Sequence, residues 1–494
     1  MRWPIIGNTL MIPLINVAQF YKDLGKKLGS KIMYLEALGQ SILVINDIMI
    51  TQDLLKKQST TYSNHPDIPM LADVVGHRTF FAFMPYGNEW RAHRRLFTQH
   101  FSEKNLPRIE QKSLEFVRKG LLANFLEYPE DFYHHIRNWI GGLSTSMTYG
   151  LPVQRRNDPL IHFAEHALGG SAAAASPGRF WVNVIPWLKY VPDWMPGAGF
   201  KRLGKSIRKE LVQLREEPLS SGASDDSEIT AMRQYRLYRR ALRNFVINPT
   251  LILKIAMLNK PLSKSLEKEI DSVVGPDRLP DFSDIPHLKY LYAAIKESLR
   301  WNPVLPTSVP RLASEDDEYM GYFIPKGTVV MSNIYAILHD EENFPDPGKF
   351  DPERFLKDGI LRDDVIDPES VATFGFGRRI CPGSHIALVN LYIAAASILH
   401  LFDLLPPLGA DGRPIEPKAI FSSDSGGFEP PKFDCRIIPR KGKDVHALLK
   451  EYMGTEPVGL GRGLRVGDDF VVFVSTSAIS SKISYQMMNL DSRQ

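Results

Sequence analysis

Residues Phe374 to Gly383 read Phe-Gly-Phe-Gly-Arg-Arg-Ile-Cys-Pro-Gly, and helical periodicity begins directly after them. This order predicts that Cys381 lies at a helix N-terminus with Pro382 in the first turn, where proline's missing N–H costs nothing. The dipole and free N–H groups of a helix start favour a thiolate. Gly375 and Gly377 allow close backbone approach and can offer N–H groups to the sulfur, while Arg379 supplies a fixed positive charge for a nearby carboxylate. An isolated cysteine behind a Gly-rich turn is ordinarily a small buried hydrophobe. The glycines and arginine around this one point instead to a thiolate metal ligand beside an anionic cofactor.

Cys435 is the only other cysteine in the 494 residues. Two cysteines exclude a disulfide framework, a four-cysteine zinc site and an iron–sulfur cluster held by four thiolates. The formal net charge of +4 is too weak to imply nucleic-acid binding through bulk electrostatics, so no nucleic-acid partner is expected. With 44% apolar and 23% charged residues, the chain has globular composition and can bury a sizeable core. Asn248-Pro249-Thr250 carries the proline that forbids glycosylation, so secretion gains no support.

Apolar residues at spacings of three and four predict helices over Ile109 to Leu126, Tyr290 to Arg300 and Ser384 to Leu401. Strand patterns are shorter, at Ile42 to Ile45 and Thr328 to Met331. The expected fold class is mainly α with small β-sheets. Leu388 to Leu405 approaches the length of a membrane span, but Asn390, His400 and Asp403 interrupt it, which predicts a buried helix. Met1 to Phe20 lacks a signal-peptide layout, and no membrane anchor is expected within the chain. Ser220 to Glu228 reads as a polar linker, and 441–494 as an atypical C-terminal tail after a domain spanning 1–440.

Two further charged patterns bear on the cysteine segment. Glu297 and Arg300 share one helix face, and Arg354 can complete a charge cluster with them. Trp90 and Arg94, four apart, can present an indole N–H and a guanidinium to one carboxylate, leaving Arg91 and Arg95 to point elsewhere.

The segment from Phe374 to Gly383 resembles the heme-binding loop of the cytochrome P450 family, with Phe374, Gly377, Arg379, Cys381 and Gly383 in their expected places. Glu297, Arg300 and Arg354 are similar to the family's triad that holds this loop. Resemblance extends from Trp3-Pro4-Ile5-Ile6-Gly7-Asn8 to about Phe433-Asp434-Cys435-Arg436-Ile437. Pro186 to Trp194 and Gly275 to Pro280 are similar to fungal members near those oxidising polyketides such as O-methylsterigmatocystin. The resemblance implies a cytochrome P450 fold, heme b (iron protoporphyrin IX) and Cys381 as the metal ligand, the proximal thiolate being a general property of such proteins. It implies heme-propionate partners at Trp90, Arg94, Arg311 and Arg379.

The implied function is monooxygenation of a lipophilic molecule in secondary metabolism, with electrons from NADPH-cytochrome P450 reductase. The implied location is the cytoplasmic face of the endoplasmic reticulum membrane, with peripheral contact through Phe180 to Trp194 and the apolar N-terminus; interior packing of those aromatics is the alternative. Asp67 to Met84, Val304 to Val309 and Phe421 to Gly427 would contribute to a hydrophobic substrate pocket. One departure stands against this: the family's small-Gly-x-acid-Thr motif, which relays protons, has no match ahead of Leu266. Arg233 to Arg243 lacks its pattern, and Pro249 is expected to break any helix over Phe245 to Leu258. A poorly coupled or non-catalytic heme-binding remnant is therefore the alternative, with a peroxide-driven enzyme as a third reading.

Overall fold

Helix Ser384–Leu401 is the axis of the fold, and it directly follows the cysteine segment. Every residue from Asn390 to Leu401 is buried, because the helix is apolar around its whole circumference and is covered on all sides. Two of its polar residues reach main-chain carbonyls: Asn390 donates to the Ile386 carbonyl at 2.8 Å, and the His400 Nε2 lies 3.1 Å from the Arg278 carbonyl. The apolar sequence continues past the helix, but Phe402–Leu405 turns into a strand paired antiparallel with Arg436–Pro439. Among the described residues this is the one helix long and apolar enough to cross a membrane, and most of it is interior.

The computed structural model describes residues 6–13, 15–78, 81–175, 179–220, 250, 252–415, 433–454 and 457–459. It is mainly α with small sheets. Around the axial helix pack Lys260–Val274, Lys289–Trp301 and the row that begins as Leu106–Glu115, and Phe132–Tyr149 packs on that row. That row continues through wider turns at Phe116–Leu122 into Ala123–Glu127, matching the periodicity of Ile109 to Leu126. Residues 252–258 are helical, with Ile252, Leu253, Ile255, Ala256 and Met257 buried, so the break expected over Phe245 to Leu258 does not reach them. The polar linker and the unmatched relay segment fall mostly on 221–249, outside the described residues.

The largest sheet orders its strands Ile32–Ala37, Gln40–Ile45, Val329–Ser332 and Arg311–Leu312. The middle pair is parallel, Ile42 facing Val329, and the last pair antiparallel, Arg311 facing Val330. Residues 61–64 run along the outer edge: the Leu312 N–H donates to the Asn64 carbonyl at 2.9 Å and the Ser314 N–H to the Thr61 carbonyl at 3.0 Å. The edge is thereby covered rather than left open for pairing with another chain. Residues 441–454 and 457–459, assigned by sequence to the tail, share the main core through Val445, Leu449 and Val458, and Val458 pairs with Val153. Residues 460–494 lie outside the described residues.

The framework's strongest polar fixture is the Glu297 cluster. Both Glu297 and Arg300 are fully buried, and the guanidinium grips the carboxylate twice, at 2.6 and 2.8 Å. Arg354 reaches the same carboxylate at 3.2 Å, and the Asp351 N–H donates to it at 2.8 Å. Remaining guanidinium N–H groups bind the Leu338, Pro347, Lys349 and Pro345 carbonyls, so loop 345–351 is tied to helix Lys289–Trp301. Removing the acid leaves two inward-facing cations uncompensated. Glu297→Ala should therefore lose about 3–5 kcal/mol in urea unfolding of the heme-free chain; a loss below about 1 kcal/mol, the range of a surface pair, would contradict this role.

Candidate functional site

The cysteine segment is a tight loop. Gly375 and Gly377 have φ of +82° and +56°, the left-handed region that side chains rarely adopt. A Cβ at Gly377 would also collide with the Leu55 backbone carbonyl, so this glycine is fixed by conformation and by close approach to segment 55–59. A 3-10 turn at Gly377–Arg379 follows, and the Cys381 N–H donates to the Phe374 carbonyl at 2.8 Å. The helix begins at Ser384 with Gly383 as its N-cap, so Pro382 precedes the first turn rather than occupying it. The N–H directed at the sulfur comes from Gly383, not from the two glycines upstream.

Burial pushes the Cys381 thiol above its ordinary pKa, while the Gly383 N–H and the positive charge of Arg94 pull it down. Enclosure therefore acts on the sulfur against the helix start. A thiol of this kind loses its proton when a metal takes its place. No cluster of three or more His, Cys, Asp or Glu capable of holding a metal occurs among the described residues. Cys381 would therefore be a lone protein ligand, with the remaining positions supplied by a cofactor. Burial holds the Cys435 thiol up to about 12, and it faces the Arg436 carbonyl.

The loop is braced from both sides. Lys296, on helix Lys289–Trp301, pairs with Asp367 at 2.8 Å. Tyr392, on the axial helix, donates to Glu369 at 2.7 Å and lies against Tyr292 with ring centroids 4.1 Å apart. The stretch entering the loop is thus bound to the helix behind it and to the helix carrying Glu297.

Four expected site residues converge beside this loop. Helix Asn88–His100 places Trp90 and Arg94 on one face; Trp90 is buried, and Arg91 and Arg95 point to solvent as predicted. Arg94 donates to the Ile380 carbonyl at 2.5 Å, next to the cysteine. Arg379 lies over the Trp90 ring at 4.3 Å and donates to the Ser63 and Met84 carbonyls at 2.8 and 2.6 Å. Arg311 is 5% exposed on the edge strand, with Nη1 3.3 Å from the His65 Nε2.

Their electrostatics are unusual. Desolvation and the nearby Arg379 bring Arg311 down to about 9, and desolvation brings Arg379 down to about 10. Burial also lowers Arg94. Among the described residues no carboxylate pairs with any of the three, and Arg379 Nη1 is buried with no hydrogen-bond partner. Buried cations ordinarily take such partners. The donor set fits a cofactor that brings its own carboxylates to this face and a metal to the sulfur.

The segments expected to line a pocket are described only in part. Phe81 stacks on Trp90, with ring centroids 5.5 Å apart and planes 3° apart. Met70, Leu71, Val74 and Val75 form a small core with Ala174, Val182 and Ile207. Val304 is buried, whereas Phe80 and 421–427 lie outside the described residues. His65 escaped sequence reasoning: Asn-His-Pro carries no spacing signal, and only the sheet edge brings it to Arg311.

A profile of the family described as Cytochrome P450 matches residues 1–239 and 250–429. The Cytochrome P450 monooxygenase COX2 of Coprinopsis cinerea is 37% identical over 471 residues, 88% of this chain and 88% of that protein. Cytochrome P450 monooxygenase 98 of Postia placenta is 35% identical, covering 91% of each chain. The tryptamine 4-monooxygenase of Psilocybe cyanescens is 32% identical over 91% of this chain and 93% of its own.

Replacing each cysteine in turn separates their roles. Cys381→Ala should abolish the thiolate absorption band of the reduced, carbon monoxide-bound protein, while Cys435→Ala retains it; the reverse pattern would overturn the ligand assignment.

Proposed function

Because the chain belongs to the cytochrome P450 family, we propose that it is a heme b monooxygenase acting on a lipophilic molecule in fungal secondary metabolism, with electrons from NADPH-cytochrome P450 reductase. The observation that carries the cofactor reading is the set of desolvated arginines without carboxylates, including the orphaned Arg379 Nη1, beside Cys381. Trp90, Arg94, Arg311 and Arg379 would hold the heme propionates. Cys381 would hold the iron, its sulfur steadied by the Gly383 N–H and its loop braced by Lys296, Glu369 and Tyr392. When bound, heme supplies the dioxygen chemistry that amino-acid side chains lack.

This chain's residues perform the rest. Gly375 and Gly377 fix the loop's path, and the axial helix behind it gives the sulfur a rigid base. Arg94 adds positive charge beside the sulfur, which favours its anionic form. Tryptamine in the name of one relative refers to that protein; no amine site follows for this chain. Reconstitution with heme, reductase and a panel of lipophilic compounds tests the assignment. The expected result is NADPH-dependent incorporation of one oxygen atom from O2. NADPH consumption yielding only peroxide would favour the poorly coupled remnant, and product formed only with added peroxide would favour the peroxide-driven reading.

The location we propose is the cytoplasmic face of the endoplasmic reticulum membrane, supported by an aromatic surface between helices Pro159–Ala175 and Gly199–Ser220. Trp181, Trp187, Tyr190 and Trp194 are 71%, 65%, 77% and 82% exposed, so the alternative of interior packing does not hold for them. Amphipathic aromatics of this kind favour a membrane interface. The chain should co-float with phospholipid vesicles, and a Trp181→Ser, Trp187→Ser, Trp194→Ser variant should float markedly less; equal flotation of the two would remove the support.

A further inference from the structure

His65 is nine-tenths buried against Arg311, a position that neither its sequence context nor the cysteine loop foretells. Its Nδ1 lies 2.7 Å from the Pro310 carbonyl and its Nε2 3.3 Å from Arg311 Nη1. A carbonyl can only accept, so Nδ1 carries the hydrogen. A guanidinium can only donate, so Nε2 must present its lone pair. The two contacts together leave one possible form of the ring, the neutral Nδ1–H tautomer. Burial and the charges of Arg311 and Arg379 act in the same direction, holding His65 well below the ordinary histidine pKa.

The backbone around His65 fixes this arrangement. Asn64 accepts from the Leu312 N–H at 2.9 Å, which sets His65 opposite Arg311 at the sheet edge. Ser63 accepts from Arg379 Nε at 2.8 Å, and the Asn64 side chain accepts from the Tyr86 N–H at 2.9 Å. Tyr86 in turn packs on Trp90, with ring centroids 5.2 Å apart. Three consecutive residues therefore touch three parts of the arginine site.

We infer that His65 is a positioning residue that aims Arg311 at a cofactor carboxylate through a neutral ring acceptor, with Ser63 doing the same for Arg379 through its carbonyl. The inference rests on the reading that Arg311 holds a heme propionate. Two cations already crowd this space, and an anionic acceptor at position 65 would compete with the propionate for Arg311. A cationic one would repel the guanidinium. A neutral acceptor directs the guanidinium without doing either.

The test is a double-mutant cycle on the full heme-loaded chain, read as the rate of heme transfer to excess apomyoglobin. Arg311→Ala should accelerate transfer, and His65→Phe should do so about 10- to 100-fold, the range for removing a group that orients a ligand. The double variant should release heme no faster than Arg311→Ala alone. His65→Gln, whose amide can donate to Pro310 and accept from Arg311, should largely restore retention. An unchanged rate in Arg311→Ala would defeat the propionate reading itself. Acceleration in Arg311→Ala with none in His65→Phe would defeat only the role of His65, as would multiplicative effects in the double variant. Should His65→Phe not fold, 15N NMR of the wild-type reduced, carbon monoxide-bound protein decides the matter: the Nδ1–H tautomer is expected, and an imidazolium or Nε2–H ring would overturn the inference.

Discussion

Several guanidinium groups brought together inside a protein repel one another and lose hydration, and both penalties rise as the surroundings dry. Arg94, Arg311 and Arg379 are held in this condition, with protein carbonyls, an imidazole and an indole around them but no carboxylate among the described residues. The arrangement makes physical sense if a dianion belongs there. Everything that positions the arginines then has a purpose beyond packing: the edge strand fixes Arg311, the turn before the cysteine fixes Arg379, and helix Asn88–His100 fixes Arg94.

The Glu297 cluster shows what the fold does when its charges are purely structural. Arg300 is as buried as Arg311, yet it has a bidentate carboxylate and main-chain carbonyls around it. Both arginines are buried, so burial does not distinguish them. The difference is compensation: one is satisfied within the chain, and the other has a neutral imidazole in place of an acid. This contrast separates scaffold from binding site without reference to sequence similarity.

Much of this was legible in the residues. The flanking pattern of Cys381 marked the loop, and the spacings of Glu297 with Arg300 and of Trp90 with Arg94 placed each pair on one helix face. Local readings failed where long-range packing decides. The sequence around Cys381 placed Pro382 in the first helical turn, but the helix begins after Gly383. His65 was invisible because its contact with Arg311 spans 246 residues and exists only through strand pairing. Residues 441–454 and 457–459 read as an appendage because they adjoin a stretch rich in Gly, Ser and Val, yet Val445, Leu449 and Val458 are core residues.

The account makes cofactor carboxylates the complement of this site, and their removal from the ligand tests it most directly. The heme-free chain should be titrated with iron protoporphyrin IX and, separately, with its dimethyl ester, in which both propionates are neutral. The prediction is that the diacid binds at least about tenfold more tightly, as expected from losing at least one charge-assisted hydrogen bond in a buried site, and that Arg311→Ala narrows the gap. Equal affinity for the two porphyrins, with an intact thiolate band in both, would contradict it.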